Sequence, residues 1–486
     1  MGKSIRMKRS GLKFLTVSSL ILSGSLLPDT AHAEPDVKFS ANLKAQALSS
    51  NDLDLGTADT NGTDSQSLEL KAKLEGDLTH NLSFLLEARG VKNYGEGGSI
   101  DTDTGEVSGR DDYLELRQYW MEYHGINGLQ PLGIRVGRQR FREDYGLWWN
   151  RDFDAVRLFY DATLIKSFLA VGQNLGEYRT SGDAFNNDDE DILRVVGETS
   201  WQWKLDQFLE GRVLYQNDHS GLEDIGDRLN ADDYDSQDAD ILWFGVRAAG
   251  TLPESRDLPA VKNTKYRVDL IGMVGSEDRL TTTAVGVNER LVTGHEDSDL
   301  SAWALDAGLD VPVTLFPNVA PVIHVGYAYG SGDSDPNDND DHAFRQTDLD
   351  SNSSHLAGFP SSINNYGSVL RPDLSNLHIA TAGVEVPVTK ALDISGFYRY
   401  YALADADAAL PSNGIDASVN GRDSDLGQGF DLIVNFDVNE QFDYDPVVAD
   451  KINLKTTLGG FRAGDAYGDA EGETAVRAQI DLNIKF

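Results

Sequence analysis

The 486-residue chain contains no cysteine. That excludes a disulfide framework, thiolate metal sites and cysteine nucleophiles together, so stability has to come from hydrogen-bonded backbone and burial. The chain also lacks any apolar run long enough to cross a bilayer as a helix. The longest, Phe14 to Leu27, falls well short of the roughly 20 residues a spanning helix needs. Basic residues are scarce beside acidic ones, 42 Lys and Arg against 79 Asp and Glu, which argues against nucleic acid or anionic lipid as a partner for the surface as a whole. The motifs HExxH, GxSxG and the P-loop are absent. No catalytic residue, metal ligand or cofactor is expected.

What is present begins with an address. Lys3, Arg6, Lys8, Arg9 and Lys13 precede the apolar run, Pro28 breaks it, and Ala31-His32-Ala33 supplies small residues beyond it. This is the pattern of a bacterial secretory signal peptide, expected over residues 1–33 with cleavage near Ala33. Losing those five basic residues and Asp29 takes the formal charge from −37 to −41. Residues 34–486 form the mature unit.

Along that unit apolar and polar residues alternate with the period of two that marks strands. Val37, Phe39, Ala41, Leu43 and Ala45 alternate with Lys38, Ser40, Asn42, Lys44 and Gln46, and the closing stretch AVRAQIDLNIKF sets Val476, Ile480, Leu482 and Ile484 against Arg477, Gln479, Asp481 and Asn483. Candidate segments start near 37, 66, 81, 113, 132, 153, 163, 191, 207, 239, 264, 300, 320, 375, 391, 426, 451 and 474, most of them the length of a tilted transmembrane strand. Long connections follow the odd segments, including 218–238, 277–299 and 331–374, and short turns such as 77–80 and 204–206 follow the even ones. The expectation is all-β: a single transmembrane antiparallel β-barrel of about 18 strands, with long extracellular loops and short periplasmic turns, in the outer membrane of a Gram-negative bacterium. Trp120, Trp201, Trp203, Tyr398 and Tyr400 are candidates for interfacial girdles. The terminal Phe486 is the mark expected to be read by barrel-assembly proteins.

If the apolar register faces lipid, the other lines a pore. It carries Lys44, Lys71, Arg117, Arg194, Arg267, Arg399, Lys455, Arg477 and Asp481 among others, while loops 218–238 and 331–374 each hold eight acids. Basic residues in a pore wall select anions, but a ladder of opposed charges that only hydrogen-bonds along the wall gives the same composition. Charge alone leaves both readings open. The acidic stretch DSDPNDNDD from Asp333 fails the EF-hand template at Asp338 and Phe344, which leaves solvated loop acids or divalent bridging to lipopolysaccharide. His324 and His378 read as satisfied lumen residues.

At GRQRFREDYGLWW, Gly137 to Trp149, the sequence resembles the AlgE-type alginate-export family of 18-stranded outer-membrane porins. NDLDLGT at Asn51, YLELRQYWMEY at Tyr113, GEYRT at Gly176, LRPDLSNL at Leu370, GDAYG at Gly464 and the terminal strand extend the resemblance over the mature chain. The resemblance implies passive export of an anionic exopolysaccharide, an alginate-like polyuronate, delivered by periplasmic polymer-export proteins through an electropositive constriction. It carries the constriction onto Lys44, Lys71, Arg117, Arg140 and Lys455, with acids at Glu177 and Asp481. Arg140 shares its register with Leu132, Ile134 and Val136, so a bulge near Gly137 or an inward bend of the strand end is required to bring it into the pore. Ser353 and Ser362 stand where the family's loop supplies arginine, Asn150 and Ser181 replace acids, and the turn at 438–450 is short and acidic. A porin for small anionic solutes, a loop-plugged structural barrel and a barrel enzyme are the alternatives.

Overall fold

The computed structural model describes residues 36–57, 62–95, 112–175, 178–180, 191–230, 234, 236–252, 263–313, 320–335, 338–355, 362–410, 412–442 and 449–486. The expected signal segment and Glu177 lie outside the described residues. Wall strands follow in chain order: β1 (Asp36–Asn51), β2 (Thr63–Thr79), β3 (Leu82–Gly95), β4 (Tyr113–His124), β5 (Leu132–Arg142), β6 (Asn150–Asp161), β7 (Ile165–Gln173), β8 (Ile192–Lys204) and β9 (Gln207–Asp218). The second half comprises β10 (Gln237–Thr251), β11 (Lys265–Ala284), β12 (Glu289–Pro312), β13 (Val322–Gly330), β14 (Leu377–Pro387), β15 (Leu392–Leu403), β16 (Asp425–Asp437), β17 (Lys451–Ala463) and β18 (Thr474–Lys485).

Each strand pairs antiparallel with the next, and β18 pairs with β1 from Asn42–Lys485 to Asn51–Val476. The wall therefore has no edge, which is what a strand in lipid requires, because an unpaired backbone group there finds no water. Phe486 extends the closure: its N–H donates to the Ala41 carbonyl at 2.8 Å and its carbonyl accepts from Ala41 at 3.2 Å. No helix of the described residues is long and apolar enough to cross a membrane.

Alternation decides the two faces. Phe39, Leu70, Leu114, Leu169, Val246, Val325, Phe430 and Ile480 are exposed on the outside, while their strand neighbours Lys44, Arg117, Arg247, His324, Asp431 and Asp481 are buried within. The protein's apolar core also lies inside the barrel, where Phe141, Trp148, Trp149, Phe153, Trp243, Leu349, Leu374 and Phe461 pack together.

Three expectations are corrected. Residues 277–299 are not a loop: β11 and β12 run on as a paired hairpin that turns at 285–288, closed by N–H bonds from Val285 and Gly286 to Glu289. Trp120 is not in the outer girdle with the exposed Trp201, Trp203, Tyr398 and Tyr400. A register shift opposite Arg117 turns the following residues over, so Trp120 faces the lumen under the Arg135 guanidinium, 4.0 Å from its ring centre. His378 belongs to the outer face instead of the lumen, accepting or donating a 2.7 Å bond with the exposed Tyr327. His324 does lie inside, 2.6 Å from Asp310.

Candidate functional site

Two segments fold into the lumen and build the site. The first is the far end of the β5–β6 hairpin. β4 pairs with β5 only as far as Tyr119–Arg138, and beyond that Glu115 and Leu116 pair with Arg179 and Tyr178 instead. The β5–β6 register itself continues unshifted to Arg142–Asn150. The hairpin therefore leaves the wall as a unit at Gly137, whose φ of 122° is open to glycine alone, and a Cβ there would meet the Tyr119 carbonyl oxygen at 2.2 Å. Of the two routes for bringing Arg140 inside, the inward bend is the one taken.

Once off the wall, both hairpin faces are interior. Phe141 stacks on Phe153 with ring centres 4.3 Å apart, and the tip reaches across to the inner face of β10, where Trp148 lies against Gly245. Glu143 holds the tip. Its carboxylate accepts the Tyr145 N–H at 2.9 Å, the Leu147 and Trp148 N–H groups, and the Arg247 guanidinium at 2.7 Å. Arg247 in turn bonds Asp269 at 2.6 Å, and Arg267 sits 4.2 Å above the Tyr145 ring while bridging Asp306 at 2.8 Å.

The second inward segment lies between β13 and β14. It is fastened to the hairpin by Asn150 N–H to the Leu349 carbonyl at 2.5 Å, and Ser353–Ser354 pair with Ile363–Asn364. Wall side chains hold its carbonyls: Trp243 Nε1 bonds Arg345 at 2.8 Å, Tyr401 bonds Tyr366 at 2.7 Å, Arg399 bonds Asn365 at 2.9 Å, Lys455 bonds Ser362 at 2.5 Å and Arg477 bonds Ser368 at 2.9 Å. Asp431 accepts from Ser368 and Arg399, and Tyr366 donates to Asp306 at 2.7 Å.

The residues expected at a constriction thus separate into groups. Arg117 and Arg140 converge on Asp152 at 2.8 and 3.3 Å, and Glu87 lies in the field of both and of Lys71, which bridges Glu69 at 3.1 Å. Lys44 and Lys455 stand near Asp481, which accepts from Gln46 at 2.7 Å. Arg267, Arg399, Arg477 and Lys455 secure the inward segments. Arg194 shares with Arg117 and Asp152 a chamber of about 740 Å³ between the wall, the bent hairpin and the inward loop.

That chamber brings in residues the sequence reading passed over. Arg89, Arg138 and Arg179 join Arg117 and Arg194 on its wall side, with Asp348, Asp350 and Asp373 of the loop opposite. Arg89 bonds Glu115 at 2.8 Å, and Arg179 lies 4.0 Å above the Tyr113 ring. Arg89 is legible from strand register. Arg138 and Arg179 are not, because the detour of the hairpin and the pairing of Tyr178–Arg179 with β4 decide where they point.

A family model described as alginate export matches residues 36–481. Among curated relatives, alginate production protein AlgE of Pseudomonas aeruginosa is 28% identical over 97% of this chain and 96% of its own length. The protein of the same name from Azotobacter vinelandii is 26% identical over 82% of each chain. Among solved structures, OccK2 (OpdF) of Pseudomonas aeruginosa aligns with a TM-score of 0.53 at 11% identity, covering 93% of this chain and 98% of that one. OccAB1 of Acinetobacter baumannii aligns at 0.52 with 13% identity over 93% and 96%. An 18-stranded closed barrel and a match along almost its whole length together place this chain in the alginate-export family of outer-membrane barrels.

Proposed function

We propose that this barrel is an anion-selective channel through which an anionic exopolysaccharide, an alginate-like polyuronate, leaves the periplasm. The observation that carries the reading is the convergence of Arg117 and Arg140 on the single carboxylate of Asp152, in a lumen already narrowed by two inward segments. Around them Lys71, Arg89, Arg138 and Arg179 stand against Glu69, Glu87, Glu115 and Asp154, so that with Arg117, Arg140 and Asp152 the wall and hairpin side of this arc sets six cations against five acids, facing the loop acids Asp348, Asp350 and Asp373. Low-dielectric walls focus such a field into the lumen. Several weak sites in series let a polyanion advance without being trapped. The names of the curated relatives supply the polymer. The reading includes export guided by the segment 1–33, contact with outer-membrane lipid and lipopolysaccharide, and periplasmic partners that deliver the chain. It contains no catalytic step.

Reconstitution in planar bilayers tests it. The expected result is an anion-selective current that long polyuronates block more strongly than glucuronate does. A cation-selective pore sinks the proposal, and equal block by polymer and monomer favours a porin for small anions.

The loop acids add a pH dependence. Asp373 is pushed up to about 6 by burial and by Asp348, and Asp350 is raised well above the carboxylate range by burial together with Asp373 and Asp348, against the opposing charge of Arg151. Both acids line the chamber, so a proton taken up as pH falls through about 6 removes negative charge from it. The ratio of anion to cation permeability, read from reversal potentials, is expected to rise on acidification. Asp373→Asn should hold most of that higher ratio on the alkaline side of the transition.

A further inference from the structure

Nearer the short-turn rim, the lumen holds two arginines side by side. Arg135 of β5 and Arg157 of β6 are direct cross-strand partners, three residues in from Leu132 and Tyr160, or about 10 Å along the strands. Like charges in that position repel. Arg135 is compensated: it binds Glu122 at 2.5 Å and lies over Trp120.

Arg157 is not compensated. Among the described residues it makes no ion pair and no hydrogen bond, and its Nε is buried without an acceptor. The two nearby carboxylates are committed elsewhere, Glu122 to Arg135 and His124, and Glu198 to Arg212 at 2.8 Å. What Arg157 has is aromatic cover, with its guanidinium carbon 4.0 Å from the centre of Phe168 and 5.5 Å from that of Phe141. A guanidinium over a ring face keeps its terminal N–H groups as the bonding groups, in the fork geometry that matches a carboxylate. Arg140 lies five residues further along β5, so a chain entering from the short turns passes Arg157 first.

We infer that Arg157, held over Phe168 on the strand position opposite Arg135, is a carboxylate-binding subsite at the periplasmic end of the lumen, where the first uronate of an entering chain is captured. This rests on the polyuronate-channel reading above and names a contact within it. Arg135 is drawn toward Glu122 and Trp120 on one side and Arg157 toward Phe168 on the other, so a carboxylate bound at Arg157 supplies the counter-charge that Arg135 already has.

The test is current block in oriented single channels, with glucuronate and a short oligouronate added to one side at a time. Arg157→Gln is expected to weaken block from the short-turn side about tenfold, the scale of one charge-assisted hydrogen bond, with little change from the other side. Arg157→Lys keeps the charge without the fork and should recover part of the loss. Because Arg157→Gln removes a like-charge contact, the folded band on a semi-native gel should survive heating as well as that of the parent. Unchanged block in both variants overturns the subsite while the channel reading stands. A parent channel that no uronate blocks from either side overturns the channel reading, and the subsite with it.

Discussion

Replacing Asp431 with alanine is expected to turn a quiet channel into one with large, irregular openings. Asp431 projects from β16 into the lumen and accepts from the Ser368 N–H at 3.3 Å, from the Ser368 hydroxyl and from Arg399, whose side chain is wholly buried. Removing one partner of a buried pair leaves the other charged in a poor solvent, at about 3–5 kcal/mol. Arg399 would keep only its bonds to the Asn364 and Asn365 carbonyls, and the segment around Ser368 would lose its acidic anchor. The lumen of an 18-stranded wall is wide unless something fills it. Release of the filling segment should therefore raise conductance severalfold during openings. Excising residues 344–370 in favour of a short glycine-serine linker should make the larger conductance permanent. Steady current of parental size in Asp431→Ala would mean that the remaining wall donors, Tyr401, Lys455 and Arg477, hold the segment unaided.

Glu143→Ala is expected to cost the most stability of any single change in the lumen. One carboxylate serves three backbone N–H groups at the hairpin tip and the buried Arg247. Burial raises the cost of its charge, yet the Arg247 and Arg212 guanidiniums outweigh that and hold Glu143 down to about 2, so the tip carries an ionised carboxylate across the neutral range. The group's depressed value means that its contribution is present above the ordinary glutamate pKa and fades as pH falls towards about 2. Alanine orphans the three donors and leaves Arg247 with Asp269 and the more distant Glu210, 3.8 Å away, a loss of about 3–5 kcal/mol. The folded band on a semi-native gel should vanish at lower temperature, and Trp148 and Trp149, both buried now, should shift their fluorescence to the red. Glu143→Gln keeps an acceptor for the backbone donors and should lose less. A parental melting profile in the alanine variant would show that Phe141, Phe153 and the two tryptophans seat the tip without it.

The contrast between these two sites and the wall says what a sequence can and cannot carry. Side-chain direction in a strand reverses at every residue, so the period-two pattern marks both the strand and its two faces from local information alone. The starts of β1, β4, β5, β9, β15, β17 and β18 fall within a residue or two of where alternation alone puts them, and Lys44, Lys71, Arg117, Lys455 and Asp481 are inside as their register requires. Parity failed where the backbone broke its own rule. At Arg117 an extra residue turned Trp120 inward, and at Gly137 the hairpin left the wall, so Arg138 and Arg140 entered the lumen on what reads as a lipid-facing register.

By itself, then, the sequence determined a closed barrel, the identity of most wall strands, an outer apolar face and an inner charged one. Those follow from spacing along the chain, a property each segment carries alone. The partner of each inner charge was decided only by the tertiary structure. Arg399, Arg477 and Lys455 read as pore cations, yet they hold loop carbonyls that lie 34, 109 and 93 positions away. Arg157 reads as one arginine among many and, among the described residues, makes no ion pair, its two neighbouring carboxylates being bound elsewhere. Charge pairing depends on what the fold brings within about 4 Å, and two segments that fold inward across the lumen choose those neighbours for the wall.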